Sequence, residues 1–387
     1  MRVTASPSEI LRRLVAFDTV SANSNLALID WVVEYLQGHG IAADLTFSNA
    51  RDKANLFATI GPADAGGGVI LSGHTDVVPV IGQPWDSDPF ALVERDGRLY
   101  GRGTADMKSF IAIALALVPE FKARPLKRPL HLALSFDEEV GCFGAPHLIE
   151  SLPRGAARPS LVVVGEPTNM AVANAHKGCH VFTTAVTGLA AHSSAPQRGV
   201  NAILAASEII QFIAGLAGEA RAASRPESGF EPPYTSFNIG TIAGGSAMNI
   251  IPRDCEFTWE FRPLPGEDTA AIRDRIDRFI AADLLPRLRR VHPGADVTTR
   301  ALASIPGLVA QPGSPAEELA RQLTGANQST VVAYGTEAGL FQGAGIPAVI
   351  CGPGSMEQGH QPNEFITIEQ VEAGTAFQRR LADWACR

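Results

Sequence analysis

His74 and Asp76 close the apolar stretch Val69–Pro79 (VILSGHTDVVP), with one residue between them. In extended backbone, residues two apart point the same way, so both side chains leave one face where the strand runs out. A carboxylate beside an imidazole orients it and makes it a better metal ligand. The same pair also suits a histidine hydrogen-bonded in an ordinary loop.

Acidic residues recur at comparable places. Asp137, Glu138 and Glu139 follow the strand-like HLALSF, and three adjacent acids are costly unless positive charge sits among them. Neighbours in a strand alternate sides, so one glutamate can bind a metal while the other faces a water. A solvated acidic turn is the plain alternative, although Gly141 and Gly144 pinch the chain as a loop around a ligand would. Glu166 directly follows LVVVG, and ligands of open α/β sheets sit beyond such strand ends. Asp106 lies in GRGTADMKS. The glycine spacing resembles a dinucleotide turn, but an Asp at the third glycine would repel a pyrophosphate; a helix N-cap is the other reading. His360 sits in the Gly-rich stretch GPGSMEQGHQPNEF, after the strand-like Ala348–Cys351.

Together, two imidazoles and three carboxylates (His74, Asp106, Glu139, Glu166 and His360) suit two borderline metal ions with one bridging carboxylate. Ions ~3.5–4 Å apart can polarise an acyl oxygen and activate a shared water as hydroxide. Glu138, next to a ligand but spare, is then the natural general base, and Asp76 the partner behind His74.

The elements that must position these residues follow from periodicity. Ser8–Thr19 and Asn25–His39 carry apolar residues at helical spacing. Asn55–Ile60, Val69–Leu71, Leu130–Phe136 and Leu161–Val164 read as strands, with helices at Met107–Val118 and Gly144–Ser151. Short apolar strands interleaved with helices predict an α/β sheet covered on both faces. From Cys179 to about Leu302 the order becomes strand, helix, strand, strand, helix, strand, the βαββαβ ferredoxin-like arrangement. The expected division is residues 1–178 and 304–387 as one α/β domain, with 179–303 inserted in it.

Composition bounds the rest. A chain of 387 residues, 45% hydrophobic and 19% charged, is globular and long enough for two domains. Its net charge of −8 argues against nucleic acid or an anionic membrane as partner. The longest apolar run, Phe110–Val118, falls far short of the ~20 residues of a membrane span. MRVTASPSEILRRL lacks the pattern of a signal peptide. Five cysteines (Cys142, Cys179, Cys255, Cys351 and Cys386), odd in number and never spaced CxxC, predict reduced thiols and a cytoplasmic protein.

GHTDVVP, YGRGTADMKS, DEEVGCFGA, VGEPT and GPGSMEQGHQPNEF resemble the successive signature stretches of the two-zinc aminoacylase/carboxypeptidase family of metallohydrolases. AHKG, AHSSAPQRGVNAI, FRPLPG and GTEAGLFQ extend the resemblance over essentially the whole chain. It implies a zinc-peptidase (phosphorylase/hydrolase-like) catalytic domain with an inserted ferredoxin-like dimerisation or lid domain, and two zinc or cobalt ions. One ion would be held by His74, Asp106 and Glu166, the other by Asp106, Glu139 and His360, with Glu138 as catalytic base. It further implies a homodimer through the inserted domain, in which His192 reaches the partner's site to stabilise the oxyanion; by itself His192 reads as an exposed turn residue. Arg262 and Asn249 are candidates for gripping a substrate α-carboxylate, although Arg262 also suits a strand residue paired with Glu260 or Asp254. Glu337 is a candidate for a substrate side-chain cation.

The expected activity is hydrolysis of the amide of a small N-acyl amino acid. Through its EQGH and EAGLFQ segments the resemblance implies N2-acetyl-L-ornithine first, ahead of succinyl-diaminopimelate, other N-acyl amino acids and dipeptides. A non-catalytic amino-acid binding protein would be expected to lack a ligand or the base, and none is missing. A serine hydrolase needs GxSxG, which is absent from the sequence.

Overall fold

The computed structural model describes residues 5–387, so the first four residues of the stretch read for a leader lie outside it. The described chain divides into two compact units: residues 5–175, 308–331 and 336–387, and residues 176–307 with 332–335.

The larger unit is built on an eight-stranded mixed sheet. Its spatial order is Ala43–Phe47, Ala54–Ile60, Leu130–Ser135, Val69–His74, Leu161–Pro167, Ala348–Gly352, Ala173–His176 and Thr330–Val332. The four strands from Leu130–Ser135 to Ala348–Gly352 pair in parallel, so their carboxyl ends share one edge. These strands are buried along their whole length, which is why they read as continuous apolar runs rather than alternating ones. Ala43–Phe47 with Ala54–Ile60, Ala54–Ile60 with Leu130–Ser135, and Ala348–Gly352 with Ala173–His176 pair antiparallel. A separate three-stranded sheet joins Val93–Arg95, Arg98–Tyr100 and Phe365–Thr367; periodicity does not announce strands this short.

Helix Lys108–Ala123 packs against the sheet with nearly every residue from Lys108 to Val118 buried. It runs on through Pro119, where the sequence predicts an end. The first helix, Pro7–Val15, has a capping box between Ser6 and Glu9 and a proline in its first turn, signals legible in the sequence.

The smaller unit is a four-stranded antiparallel sheet ordered Ser236–Gly244, Asp254–Arg262, Cys179–Thr187, Asp296–Ile305. Two helical stretches complete its βαββαβ order. The first is helix Ala202–Ala222. The second is continuous from Thr269–Arg278 through a π-helical Phe279–Leu284 into Leu285–Val291. Phe182, Phe257, Trp259 and Phe261 form its core with Ile209, Ile213 and Ile276. Contrary to the reading from contiguous runs, Ala202–Ala222 is long and apolar enough to cross a membrane, with a mean hydropathy of 1.4. Glu208 and Gln211 break it into shorter apolar runs, so no single contiguous run in it reaches the length of a span. Its stripe of Ala202, Ala205, Ala206, Ile209, Ile213 and Leu216 is buried within its own unit.

Candidate metal centre

All five candidate ligands arrive at the carboxyl edge of the parallel strands. His74 is the last residue of Val69–His74. Glu138 and Glu139 follow Leu130–Ser135, Glu166 lies within Leu161–Pro167, and His360 sits in the loop after Ala348–Gly352. Asp106 precedes helix Lys108–Ala123. It is no N-cap there, because Met107 takes that position without a side-chain bond. Asp137 (φ 56°), Cys142 (φ 55°) and His360 (φ 63°) all adopt left-handed backbone, a cost of order 1–3 kcal/mol for non-glycine residues that clusters at functional sites.

The side chains converge on Asp106. Its Oδ1 is 3.0 Å from His74 Nε2, which stands 3.8 Å from Glu166 Oε1. Its Oδ2 is 3.2 Å from His360 Nε2, which stands 3.0 Å from Glu139 Oε2. Two ligand atoms each ~2.1 Å from a tetrahedral ion lie ~3.4 Å apart, and the four separations straddle that value. Glu138 joins His74 and Glu166 in a second group of potential ligand atoms.

The orientation of the ligands is fixed from behind. His74 Nδ1–H donates to the backbone carbonyl of Asp76 at 2.9 Å, leaving Nε2 as the free electron pair. The Asp76 carboxylate does something the sequence does not disclose: it stands 3.7 Å from His74 and accepts the amides of Glu138 (3.1 Å) and Glu139 (3.2 Å). Ser21 donates to it at 2.7 Å. Asp137 is drawn away by Lys53, at 2.5 Å, so the acidic triplet is divided. Gly165 allows Glu166 its place, because a Cβ there would meet the Phe110 ring at 2.1 Å.

The cluster is short of positive charge. Burial raises Glu138 and Glu166 well above the ordinary carboxylate range and Glu139 to about 7, with Asp106 adding to all three. Burial opposes protonation of His74, yet Asp106 and Glu166 raise its pKa well above the usual value. His360 is raised to about 10 by its bonds to Asp106 and Glu139. Asp106 goes the other way: burial opposes its ionisation, but His360 and His74 outweigh burial and hold it low. Glu166 Oε1 is buried with no hydrogen-bond partner, an arrangement that costs several kcal/mol unless a cation meets it. Donor set, spacing and orphaned oxygen all fit divalent ions.

The other predicted residues are placed as follows. Glu337 is wholly buried, with Oε2 3.3 Å from the Ser72 hydroxyl and Oε1 unpartnered. Burial raises its pKa. In the smaller unit, Arg262 donates Nε to Glu260 at 3.1 Å and is 36% exposed. His192 is exposed, with Nδ1 2.7 Å from the Ser194 hydroxyl. Asn249 is exposed, its carbonyl accepting the Ser193 amide. Sequence reasoning passed over Ser21, Cys142, whose thiol lies 3.4 Å from Glu138 Oε1, and the buried pair Arg102–Glu364. Arg102 and Glu364 stand inside two of the signature stretches, but no spacing rule joins them.

A parallel sheet presenting two histidines and a set of carboxylates at its carboxyl edge is the arrangement of a metallohydrolase. The sequence pattern of Peptidase family M20/M25/M40 matches residues 70–384. A curated relative, "Acetylornithine deacetylase" of Pasteurella multocida (strain Pm70), is 33% identical over 394 residues, covering 100% of both chains. Among solved structures, the M20 metallo-carboxypeptidase Sso-CP2 of Sulfolobus solfataricus superposes with a TM-score of 0.76 at 17% identity, covering 99% of each chain. The YXEP protein of Bacillus subtilis, described as a dinuclear metal binding peptidase, superposes with a TM-score of 0.62 at 17% identity, covering 97% of each. The chain belongs to peptidase family M20/M25/M40 and is a metal-dependent hydrolase of that family.

Proposed function

We propose that this protein hydrolyses N2-acetyl-L-ornithine to L-ornithine and acetate, a step of arginine synthesis. The chemistry rests on the position of Asp106 between His74 and His360. The substrate rests on the full-length relative that bears the deacetylase name. In this reading His74, Asp106 and Glu166 hold one zinc or cobalt ion, and Asp106, Glu139 and His360 the other. Bound there, the ions would polarise the acyl carbonyl and acidify a water.

Glu138 takes the proton from the attacking water and returns it to the departing amine. Asp76 steers Glu138 and Glu139 through their amides. Arg262 and Asn249 grip the α-carboxylate, and His192 from a second copy, paired through the inserted unit, stabilises the oxyanion. Glu337 is buried against Ser72, an environment better suited to bracing the strand ends than to meeting a substrate cation. None of the five cysteines is in a disulfide, which supports a cytoplasmic location.

Dipeptides are the second reading, favoured by the peptidase names of the solved neighbours. Steady-state kinetics on acetylornithine, N-acetylmethionine, succinyl-diaminopimelate and dipeptides separates the readings. The highest kcat/KM is expected on acetylornithine. A succinyl or peptide substrate turned over far faster would overturn the assignment.

A further inference from the structure

The loop that carries Asp106 is held by a residue near the other end of the chain. Glu364 is fully buried, and its carboxylate gathers four donors. Arg102 Nη1 (2.7 Å) and the Gly103 amide (3.1 Å) reach Oε2, while the amides of Ala105 (2.8 Å) and Asp106 (3.1 Å) reach Oε1. The Gly101 amide donates to the Glu364 carbonyl at 3.0 Å. Residues 101–106 therefore wrap around this one carboxylate, and Gly103 (φ 85°) allows the curl.

The same network continues to His360. Arg102 also donates to the Gln361 carbonyl (3.3 Å) and to Gln83 Oε1 (2.5 Å). Gln83 Nε2 in turn donates to the carbonyl of His360 at 2.9 Å. The Arg102 guanidinium lies over the Trp85 ring, 5.1 Å from its centroid. The backbone of one candidate ligand and the backbone of another are thus tied to a single buried ion pair. An ion pair removed from water needs every remaining donor and acceptor satisfied to be tolerated, and Glu364 meets that condition only while residues 103–106 keep this path.

We propose that Glu364 is a positioning residue that sets the separation of Asp106 and His360, and so governs the half of the metal centre formed by Asp106, Glu139 and His360 more than the half formed by His74 and Glu166. The inference rests on the two-ion reading above. Glu364→Gln is nearly isosteric, but its NH₂ group cannot accept, so one of the two donor pairs loses its partner.

Stepwise metal binding to the metal-free protein, read by calorimetric titration with zinc and by the visible spectrum with cobalt, tests the idea. Wild type is expected to take two ions. In Glu364→Gln one binding step should weaken about 10- to 100-fold, the range for residues that orient ligands, while the other moves less than about 3-fold. Glu364→Asp should restore part of the loss. Gln83→Ala, on a partly exposed residue whose removal leaves the core intact, should weaken the same step by a smaller factor. Unchanged affinities in Glu364→Gln, or equal weakening of both steps with a lower Tm, would overturn the proposal while leaving the two-ion reading standing. A wild type that binds fewer than two ions would instead remove the reading beneath it.

Discussion

Asp106 Oδ2 and His360 Nε2 stand 3.2 Å apart, although one residue lies in the first third of the chain and the other near its C-terminus. Because Asp106 Oδ1 faces His74 at 3.0 Å, this one carboxylate is shared between two histidines that have no bond to each other. Loss of Asp106 should therefore affect both ions. Asp106→Ala is expected to drop metal content from two ions per chain to below one. His360→Ala should remove only one. Metal analysis of the purified variants checks this, and two retained ions in Asp106→Ala would contradict the bridging geometry.

Glu138 has its amide pinned by Asp76 and is placed beside His74 and Glu166 without being needed by His360. Glu138→Gln should keep near-normal metal content and lose ~10²–10⁴ in turnover, the usual range for an acid–base group. Near-wild-type kcat in that variant would take the proton-transfer role away from Glu138.

His192 is exposed in the smaller unit, next to Ser194. If it donates to the oxyanion, His192→Ala should retain both metals yet lower kcat by ~10²–10³, as for removal of one such donor. A silent substitution would leave His192 as a turn residue.

Gly165 adjoins Glu166, and a Cβ on it would sit 2.1–2.4 Å from atoms of the Phe110 ring. Gly165→Ala should cost about 1–3 kcal/mol, the usual penalty of overpacking, and lower metal occupancy by displacing Glu166. Adding Phe110→Leu should recover part of the stability, because the two residues share one space. Denaturation midpoints of the single and double variants decide; additive losses would mean the clash is relieved elsewhere.

His131 and His176 are buried, and burial lowers the pKa of each to about 4, below the ~6.5 of an unfolded histidine. Between these values the unfolded chain binds protons that the folded chain refuses. Their contribution is thus complete above pH ~6.5 and is lost as pH falls toward 4, with a limiting slope of ~1.4 kcal/mol per pH unit for each. Urea unfolding at pH 7, 6 and 5 should show falling stability, and His131→Leu should flatten that fall. An identical slope in the variant would show that His131 takes up its proton while folded.

The sequence alone determined the identity and order of the candidate ligands. His74, Glu139, Glu166 and His360 each close or follow a buried apolar run, and a run of that kind marks a strand whose end the chain itself displays, while Asp106 was legible only from its GRGTADMKS stretch. It also determined the βαββαβ order of the smaller unit, since period is a property of neighbours a few residues apart. Only the tertiary structure decided which oxygen of Asp106 faces which imidazole, and that Asp76 serves His74 through its carbonyl while its carboxylate holds two amides. It likewise placed Glu364 at the centre of the 101–106 loop and carried helix Lys108–Ala123 past Pro119. These are pairings across the order of strands in a sheet and the path of a loop. Local spacing carries no record of either, because such contacts come from packing between segments far apart in the chain.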